Sequence, residues 1–328
     1  MSCLCPARIL ALFSPLFGNA NETVSTQPLI SDEAIVYVGK TMKVIVPECP
    51  LALGSLKIVP NSDIGNFSDW KDSNELETYE LIQHVVQIWE KKGITDYLIY
   101  GKESNNSKSI FSWEIVPYPK NQWRFWKQFK VLWNITFGSS SLPNIERHRI
   151  AKDFQKDKDS FSESHTEQIE SIKKTVQEND AFCNQKVIEK QLVFEGKEIN
   201  VLYNYAPIVL GEGKLHFLIV PKQHHSKFSD LTETEYLESM QISQKLVSFY
   251  KDKGYHTAYL FDKTGAEAGQ TVPHWHEHVV FTATKTQEFV GKLTVLKNML
   301  FGSSPLPQKE LQTRVEVLRK DLNEVLSN

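Results

Sequence analysis

One segment decides the fold: residues 265–280, GAEAGQTVPHWHEHVV, in which a glycine-containing loop leads into three histidines at alternate positions. The alternation predicts a strand over residues 274–281. Side chains at alternate positions of a strand share one face and lie roughly 7 Å apart along it. We therefore expect the three imidazoles to project in the same direction.

His274, His276 and His278 allow two chemical interpretations. The first is a metal site, because imidazole is the commonest protein ligand of zinc and other transition metals. The second is phosphoryl or nucleotidyl transfer, in which one histidine is the nucleophile and its neighbours handle protons and anionic charge. The glycine-containing loop just upstream favours the second interpretation, because loop amides bind phosphate oxygens.

A comparison of the chain with itself indicates a tandem duplication. Matching stretches recur in the same order at an offset of 161 residues, with a shift of three near the end of each copy. The pairs are Ile58-Val59-Pro60 with Ile219-Val220-Pro221, Phe67-Ser68-Asp69 with Phe228-Ser229-Asp230, and Phe137-Gly138-Ser139-Ser140 with Phe301-Gly302-Ser303-Ser304. We expect both copies to have the same fold.

The hydrophobic pattern of each copy predicts an α+β fold. In the second copy, strands are predicted at residues 197–204, 215–220 and 257–261, and the capping box Thr232-x-x-Glu235 opens a helix that ends at Gly254. The first copy repeats this order, with a helix that ends at Gly93. Each copy is therefore predicted to be a mostly antiparallel sheet with a covering helix.

The chain divides into four predicted regions. Residues 1–30 form a tail or weak signal-like segment, 31–150 the first copy, 151–180 a charged linker, and 181–328 the second copy. The second copy ends in an amphipathic helix that we expect to pack on its own domain or, alternatively, to bind a partner. Its apolar positions are Leu311, Val315, Leu318, Leu322 and Val325.

Composition excludes several classes of protein. The 328 residues are 41% hydrophobic and 23% charged, which is typical of a globular chain and not of a disordered or fibrous one. The net charge of -3 gives no general electrostatic reason to bind duplex nucleic acid. No segment is apolar for the roughly 20 residues that a membrane-spanning helix needs. The four cysteines form no CxxC pair, so we predict a cytoplasmic protein, or an exported or membrane-associated one if residues 1–20 act as a signal.

Residues 265–280 resemble the signature of the histidine triad (HIT) superfamily of nucleotide hydrolases and transferases. Some fifty residues upstream, His216-Phe217-Leu218-Ile219-Val220-Pro221-Lys222-Gln223-His224 is similar to the second motif of that family, a strand running into Pro-Lys-x-His. The resemblance covers residues 181–281. It implies a pseudo-dimer of two HIT-like copies within one chain, and hence a possible monomer.

The resemblance also implies roles for individual residues. His276 is expected to be the nucleophile that forms a nucleotidyl intermediate, His274 to orient it, His278 to contact phosphate oxygens, and His224 to line the same pocket. Gly269, Gln270 and Thr271 match positions near the phosphates or the leaving group. Asp262 falls near a position where relatives often have Asn for sugar or phosphate contacts. The chemistry needs no metal, so no cofactor is predicted.

Several residues depart from the family pattern. Glu277 stands where relatives have an apolar residue, and on a strand it should face away from the histidines, as should Trp275. The frequent CxxC at the start of the domain is reduced to Cys183, so a structural zinc is not expected there. His225 has no family counterpart and is predicted to be a solvated surface residue.

The first copy has no histidines at the corresponding positions, where it reads Ser112-Trp113-Glu114. One active site per chain is therefore predicted, acting on a nucleoside phosphoramidate or dinucleoside polyphosphate by hydrolysis. A nucleotidylyltransferase with a sugar phosphate or phosphate acceptor is the alternative enzyme. A non-catalytic nucleotide-binding or scaffolding protein is the alternative from another class.

A basic aromatic cluster lies near the end of the first copy. It consists of Trp123, Trp126 and Trp133 beside Arg124, Lys127 and Lys130. Such a cluster can stack bases or contact phosphates. Our favoured interpretation is packing against the second copy or a partner, because tryptophan is common in interfaces.

Overall fold

The computed structural model describes residues 34–62, 64–104, 110–120, 123–156, 180–208, 214–283, 297 and 302–327. The strands are β1 Ile35–Val38, β2 Met42–Ile45, β3 Leu56–Pro60, β4 Tyr97–Ser104, β5 Trp113–Pro117, β6 Leu192–Glu195, β7 Ile199–Tyr203, β8 His216–Pro221, β9 Thr257–Thr264 and β10 Glu277–Thr282. The helices are α1 Asp72–Lys91, α2 Arg124–Phe137, α3 Asn144–Gln155, α4 Gln185–Gln191, α5 Glu233–Asp252 and α6 Gln308–Ser327.

A single ten-stranded sheet organises the protein. Its strand order is β1-β2-β3-β5-β4-β9-β10-β8-β7-β6, and every neighbouring pair is antiparallel. Read outward from the central pair β4 and β9, the two halves have the same order. The predicted α+β class is confirmed, and the strand order is the one that a duplicated unit predicts.

The two halves also match in their helices. Helices α1 and α5 both contain 20 residues and follow the short 3-10 turns Phe67–Asp69 and Phe228–Asp230. The predicted capping box is present at the start of α5, where the Thr232 side chain accepts from Glu235 N and the Glu235 side chain accepts from Thr232 N. This satisfies amide groups that the first helical turn leaves without partners.

The halves meet along β4 and β9 and between α1 and α5. Tyr100 pairs with Phe261 in the strand ladder. On the helix side, Tyr236 Oη donates to Glu75 Oε2 at 3.2 Å across a sequence separation of 161, and Tyr79 Oη donates to the Leu231 carbonyl at 2.6 Å. Repeat-related positions such as 75 and 236 therefore meet near the centre of the molecule.

Most of the core lies on one face of the sheet. Helices α1, α3, α5 and α6 bury apolar side chains against inward-facing residues of the strands, among them Val85, Leu246 and Leu322. The predicted C-terminal helix is α6, which packs on its own half with Leu311, Val315, Leu318 and Leu322 buried. The opposite face of the C-terminal half therefore remains available for polar side chains.

Helix α2 lies on that opposite face, over the N-terminal half. It buries Val131 and Leu132, whereas Trp123, Trp126 and Trp133 are 62%, 58% and 45% exposed. Packing against the second copy is thus wrong for these three tryptophans. Their role toward a partner or a nucleic acid base stays a prediction.

Two predicted boundaries differ from the structure. Strand β10 begins at Glu277, three residues later than predicted, because the neighbouring strand β8 ends at Pro221, which has no N–H to extend the ladder. Trp275 N instead donates to the His225 carbonyl at 2.6 Å. The predicted linker is also partly structured, since α3 reaches residue 155 and buries Phe154 in the core. Residues 1–30 lie outside the described part of the chain.

Cys49 is disulfide-bonded, whereas Cys183 is not part of a disulfide. A bonded cysteine is not what a reducing compartment predicts, so the cytoplasmic location stays a prediction. Among the residues that the structure describes, no helix combines the length and apolarity needed to cross a bilayer.

Candidate active site

The histidines of the C-terminal half lie on the sheet face opposite the covering helices, and the structure divides them into two groups. His276 lies beside His278, with ring centroids 4.8 Å apart, and His278 lies beside His216 at 5.1 Å. His274 instead lies beside His224, at 5.1 Å. All three triad imidazoles lie on the same side of the sheet, as expected, but only His278 lies within β10, so the predicted strand over residues 274–276 is wrong.

Hydrogen bonds fix which nitrogen of His276 carries the proton. Its Nδ1 lies 2.8 Å from the carbonyl oxygen of His274. A carbonyl only accepts, so Nδ1 is the protonated nitrogen and Nε2 keeps its lone pair. His274 thus holds the His276 ring through its backbone carbonyl and not through its own ring.

A chain of donors fixes His278 in the same way. Ile208 N donates to Nδ1 of His216 at 3.0 Å, so His216 carries its proton on Nε2. That nitrogen lies 2.9 Å from His278 Nδ1 and donates to it. The proton of His278 is therefore on Nε2, where it is available as a hydrogen-bond donor to a ligand.

Burial keeps this group of imidazoles uncharged. Burial is the largest cause, and together with the nearby positive charge of Lys263 it lowers the pKa of His276 to about 4 and that of His216 to about 3. The pKa of His278 is likewise held well below its ordinary value, first by burial and then by the neighbouring histidines. Near pH 7, His276 is a neutral imidazole with a free Nε2, as a nucleophile requires.

The second group of side chains has the composition of a metal site. Asp180, Cys183, His224 and His274 each offer one ligand atom, and these atoms lie within 4.8 Å of one another. Asp180 Oδ2 is 2.7 Å from His274 Nδ1 and 2.9 Å from His224 Nδ1. His274 Nε2 is 3.1 Å from the carbonyl oxygen of Pro221, to which it can donate while Nδ1 acts as a ligand.

This donor set fits zinc, which is bound tetrahedrally by imidazole, thiolate and carboxylate. Burial alone would raise the pKa of Asp180, but hydrogen bonds from His274, Cys183 and the Phe182 amide lower it below its usual range. Asp180 is therefore an anion in the site. The expectation of no metal rested on a chemistry that needs none and on the missing CxxC motif. Asp180 and Cys183 have the spacing of that motif, with a carboxylate in place of one thiolate.

The loop between β9 and the histidines is held by hydrogen bonds within it and to neighbouring segments. The Gln270 side chain accepts from Gly265 N at 2.8 Å and donates to the Ser226 carbonyl at 2.9 Å. The amides of Gly269 and Gln270 donate to the Ala266 and Gly265 carbonyls. These polar groups shape the loop, and Thr271 is exposed; their contact with phosphates stays a prediction.

The N-terminal half supports the same loop. Asp96 Oδ2 accepts from Glu267 N at 2.7 Å, and Gln128 Nε2 of helix α2 donates to the Glu267 carbonyl at 2.8 Å. Gly269 has φ of +87°, and a Cβ there would lie 3.4 Å from Gln128 Nε2. The loop conformation therefore depends on glycine and on side chains from the other half.

Asp262 is not in the site. It pairs with Glu277 across β9 and β10 and is buried on the helix-covered face, where burial and the charge of Glu277 raise its pKa well above normal. The adjacent Lys263 lies on the histidine side, because successive strand residues point to opposite faces. The expected sugar or phosphate contact of Asp262 is thus contradicted.

Glu277 and Trp275 both face away from the histidines, as predicted. Glu277 Oε2 accepts from Ser243 Oγ of helix α5 at 2.6 Å, and Trp275 is buried in the core against Phe228. His225, predicted to be solvated, is 2% exposed and lies 3.0 Å from Glu235 Oε1. The α5 capping box holds that carboxylate beside Nε2 of His225. Local sequence spacing does not reveal this contact.

Sequence reasoning missed four residues of the site: Asp180, Cys183, His216 and Lys263. Strand alternation and the antiparallel register could have found two of them, since His216 lies diagonally across from His278, and Lys263 shares a face with Phe261. Asp180 had been assigned to the linker, and only the tertiary structure brings it to His274.

Comparisons with known proteins agree with these observations. Residues 185–285 match the family model of the HIT domain. A HIT-like protein of Methanocaldococcus jannaschii, described as uncharacterized, is 27% identical over 93 residues, which are 28% of this chain and 69% of that protein. A bis(5'-adenosyl)-triphosphatase of Saccharomyces cerevisiae is 33% identical over 104 residues, covering 30% of this chain and 47% of the yeast protein.

The chain thus matches about half the length of the yeast relative. Among solved structures, a uridylyltransferase is similar over 94% of this chain and 95% of its own, with 14% identity and a TM-score of 0.49. The matched residues include both histidine motifs, His216 to His224 and His274 to His278. This chain therefore contains, at residues 185–285, a domain of the histidine triad (HIT) family.

Proposed function

We propose that the C-terminal half is a nucleotide hydrolase that attacks the α-phosphorus of a nucleoside phosphoramidate or dinucleoside polyphosphate with Nε2 of His276. The observation that carries this proposal is the 2.8 Å hydrogen bond from His276 Nδ1 to the His274 carbonyl. It directs the lone pair of Nε2 away from the backbone. The name of the yeast relative supports the dinucleoside polyphosphate class.

The reaction has two in-line steps. Nε2 of His276 forms a bond to the α-phosphorus while the bond to the leaving group breaks, and the leaving group takes the electron pair. Water then attacks the same phosphorus, the P–N bond breaks, and a nucleoside monophosphate is released. His278 Nε2–H is placed to donate to a phosphoryl oxygen whose charge grows in each transition state.

The position of Glu277 argues against a non-catalytic protein. This carboxyl is bonded to Ser243 on the far face of the sheet and does not obstruct His276. The departure from the family pattern therefore leaves the nucleophile in place.

The test is intact-protein mass after brief mixing of the full chain with diadenosine triphosphate or adenosine 5'-phosphoramidate, together with release of AMP. We expect an adenylyl adduct and AMP from the wild type and neither from His276→Ala. A transferase would be indicated if product formed only after a phosphate or sugar phosphate was added. The adenylyl group would then be found joined to that acceptor. Binding of nucleotide with neither adduct nor product would contradict catalysis.

We also propose that Asp180, Cys183, His224 and His274 hold a structural divalent metal of the zinc class. Such an ion would fix the start of the domain against His274, whose carbonyl orients His276. Metal analysis of the purified full chain should find about one zinc per chain, lost in the double variant Asp180→Ala, Cys183→Ala. The exposed Asp153→Ala serves as the control. Equal metal content in all three proteins would disprove the site.

A further inference from the structure

Lys263 is a cation on the histidine face of the sheet, and the reaction outlined above gives it no role. Its Nζ lies 3.7 Å from the position that a Cβ on Gly269 would occupy, at the inner side of the 265–270 loop. It also lies 6.0 Å from the ring centroid of Phe261, which in turn stacks on His278 at 4.6 Å. The ammonium group is thus placed between the loop and the imidazoles.

No carboxylate of the described residues forms an ion pair with Lys263; the lysine ion pairs found there involve other residues. Removing an ammonium from water without a partner is costly, and burial lowers the pKa of Lys263 to about 8. Its charge lowers the pKa values of His216, His276 and His278, so it acts electrostatically on the whole group. A cation retained at this cost beside the histidines indicates an anionic ligand.

The neighbouring groups show which part of a substrate this anion would be. His278 Nε2–H can already donate to the phosphoryl group under attack. The Gln270 side chain already bonds Gly265 N and the Ser226 carbonyl. The amides of Gly269 and Gln270 already donate to carbonyls of the loop. Lys263 is therefore a charged group near the loop with unused capacity for negative charge.

We propose that Lys263 binds the phosphate of the leaving group, and that the enzyme consequently prefers substrates with an anionic leaving group over phosphoramidates. This inference rests on the proposed function of His276. When Nε2 attacks, the bond from the α-phosphorus to the bridging oxygen breaks, and the electron pair stays on that oxygen. The departing phosphate gains charge beside the ammonium group. An amine leaving group gains no negative charge there and must instead accept a proton.

The experiment compares kcat/KM for diadenosine triphosphate and adenosine 5'-phosphoramidate in four full-length proteins. These are the wild type, Lys263→Met, Lys263→Arg and a matched control, Lys102→Met. Lys102 lies on β4, on the same face of the sheet, with Nζ 5.4 Å from the Tyr259 ring centroid. It therefore controls for the loss of a partly buried lysine that packs on an aromatic ring.

We expect Lys263→Met to lower kcat/KM for diadenosine triphosphate by about 100-fold and that for the phosphoramidate by less than about 3-fold. Lys263→Arg should keep activity on diadenosine triphosphate within about tenfold, because Arg supplies charge but no transferable proton. Lys102→Met should match the wild type on both substrates.

Equal losses on both substrates in Lys263→Met would overturn the inference. So would a loss in Lys263→Arg as large as in Lys263→Met, because it would indicate proton donation. If Lys263→Met failed to fold, the arginine variant would still decide between charge and proton donation. A wild type inactive on both substrates would refute the proposed function itself, whereas an active wild type with an unaffected Lys263→Met would refute only the role of Lys263.

Discussion

The two halves of the sheet share a strand order but use the same face differently. In the C-terminal half this face carries His216, His276 and His278. In the N-terminal half, Glu114 stands on β5 where β10 has His278. Its carboxylate accepts from Leu51 N at 2.7 Å and lies 3.9 Å from Lys57 Nζ. The corresponding position therefore serves a structural contact and not a reaction.

Helix α2 packs on this face in the N-terminal half. Val131 packs into a cluster with Leu51, Leu98 and Val116, and Asn134 Nδ2 donates to the Leu51 carbonyl at 2.8 Å. The comparison teaches that the scaffold alone does not create a site. Catalytic potential depends on which side chains occupy this face.

The proposed nucleophile, His276, gives the sharpest contrast between the halves. His276→Ala should lower the rate of AMP release from diadenosine triphosphate by at least about 1000-fold, because it removes the atom that attacks phosphorus. Ser112→Ala changes the corresponding position of the N-terminal half and should leave the rate unchanged. A rate for His276→Ala within tenfold of the wild type would place the nucleophile elsewhere.

Removing the support that the N-terminal half gives to the 265–270 loop should have a smaller effect on the reaction rate. Gln128→Ala removes the bond to the Glu267 carbonyl, and we expect kcat to fall by about 5- to 10-fold through a misplaced loop. Gln155→Ala is the matched control, since Gln155 also donates to a backbone carbonyl at 2.8 Å, that of Ile35, away from the site. The thermal unfolding midpoint should change equally in both variants. Equal kcat values would show that the N-terminal half does not position the loop.

The buried carboxyl of Glu277 gives the smallest effect, on the pH dependence of stability. Burial raises its pKa from 4.5 to about 8, and Trp113 occupies the corresponding place in the N-terminal half. The unfolded chain loses this proton near pH 4.5 and the folded chain only near pH 8. The contribution of Glu277 to the free energy of unfolding is thus fully present below about pH 4.5. Between there and about pH 8 it falls by up to about 1.4 kcal/mol per pH unit.

Glu277→Gln keeps an acceptor for Ser243 Oγ but cannot ionise. The variant should therefore unfold at a higher urea concentration than the wild type at pH 8, with a smaller difference at pH 4.5. The control is Glu316→Gln on the exposed side of α6, which should follow the wild type at both pH values. Parallel curves for wild type and Glu277→Gln would mean that Glu277 is ionised in the folded protein.

Much of this protein was predictable from local sequence. Hydrophobic periodicity and the capping box placed α5 and α6, the repeated stretches predicted the common strand order of the halves, and the spacing around His276 indicated the family. Alternation on a strand also placed Glu277 and Trp275 correctly on the covered face. These features depend on residues that are near one another in the chain, where backbone geometry fixes which side chains share a face.

The tertiary structure alone decided how the histidines are grouped. Pro221 ends the ladder, so His274 turns to Asp180, 94 residues earlier in the chain, while His276 stays with His278 and His216. The tertiary structure also places Lys263, and not Asp262, beside the site. It brings Gln128 and Asp96 of the N-terminal half to a loop of the C-terminal half. Such contacts depend on strand register and on the packing of distant segments, which the local pattern of a sequence does not contain.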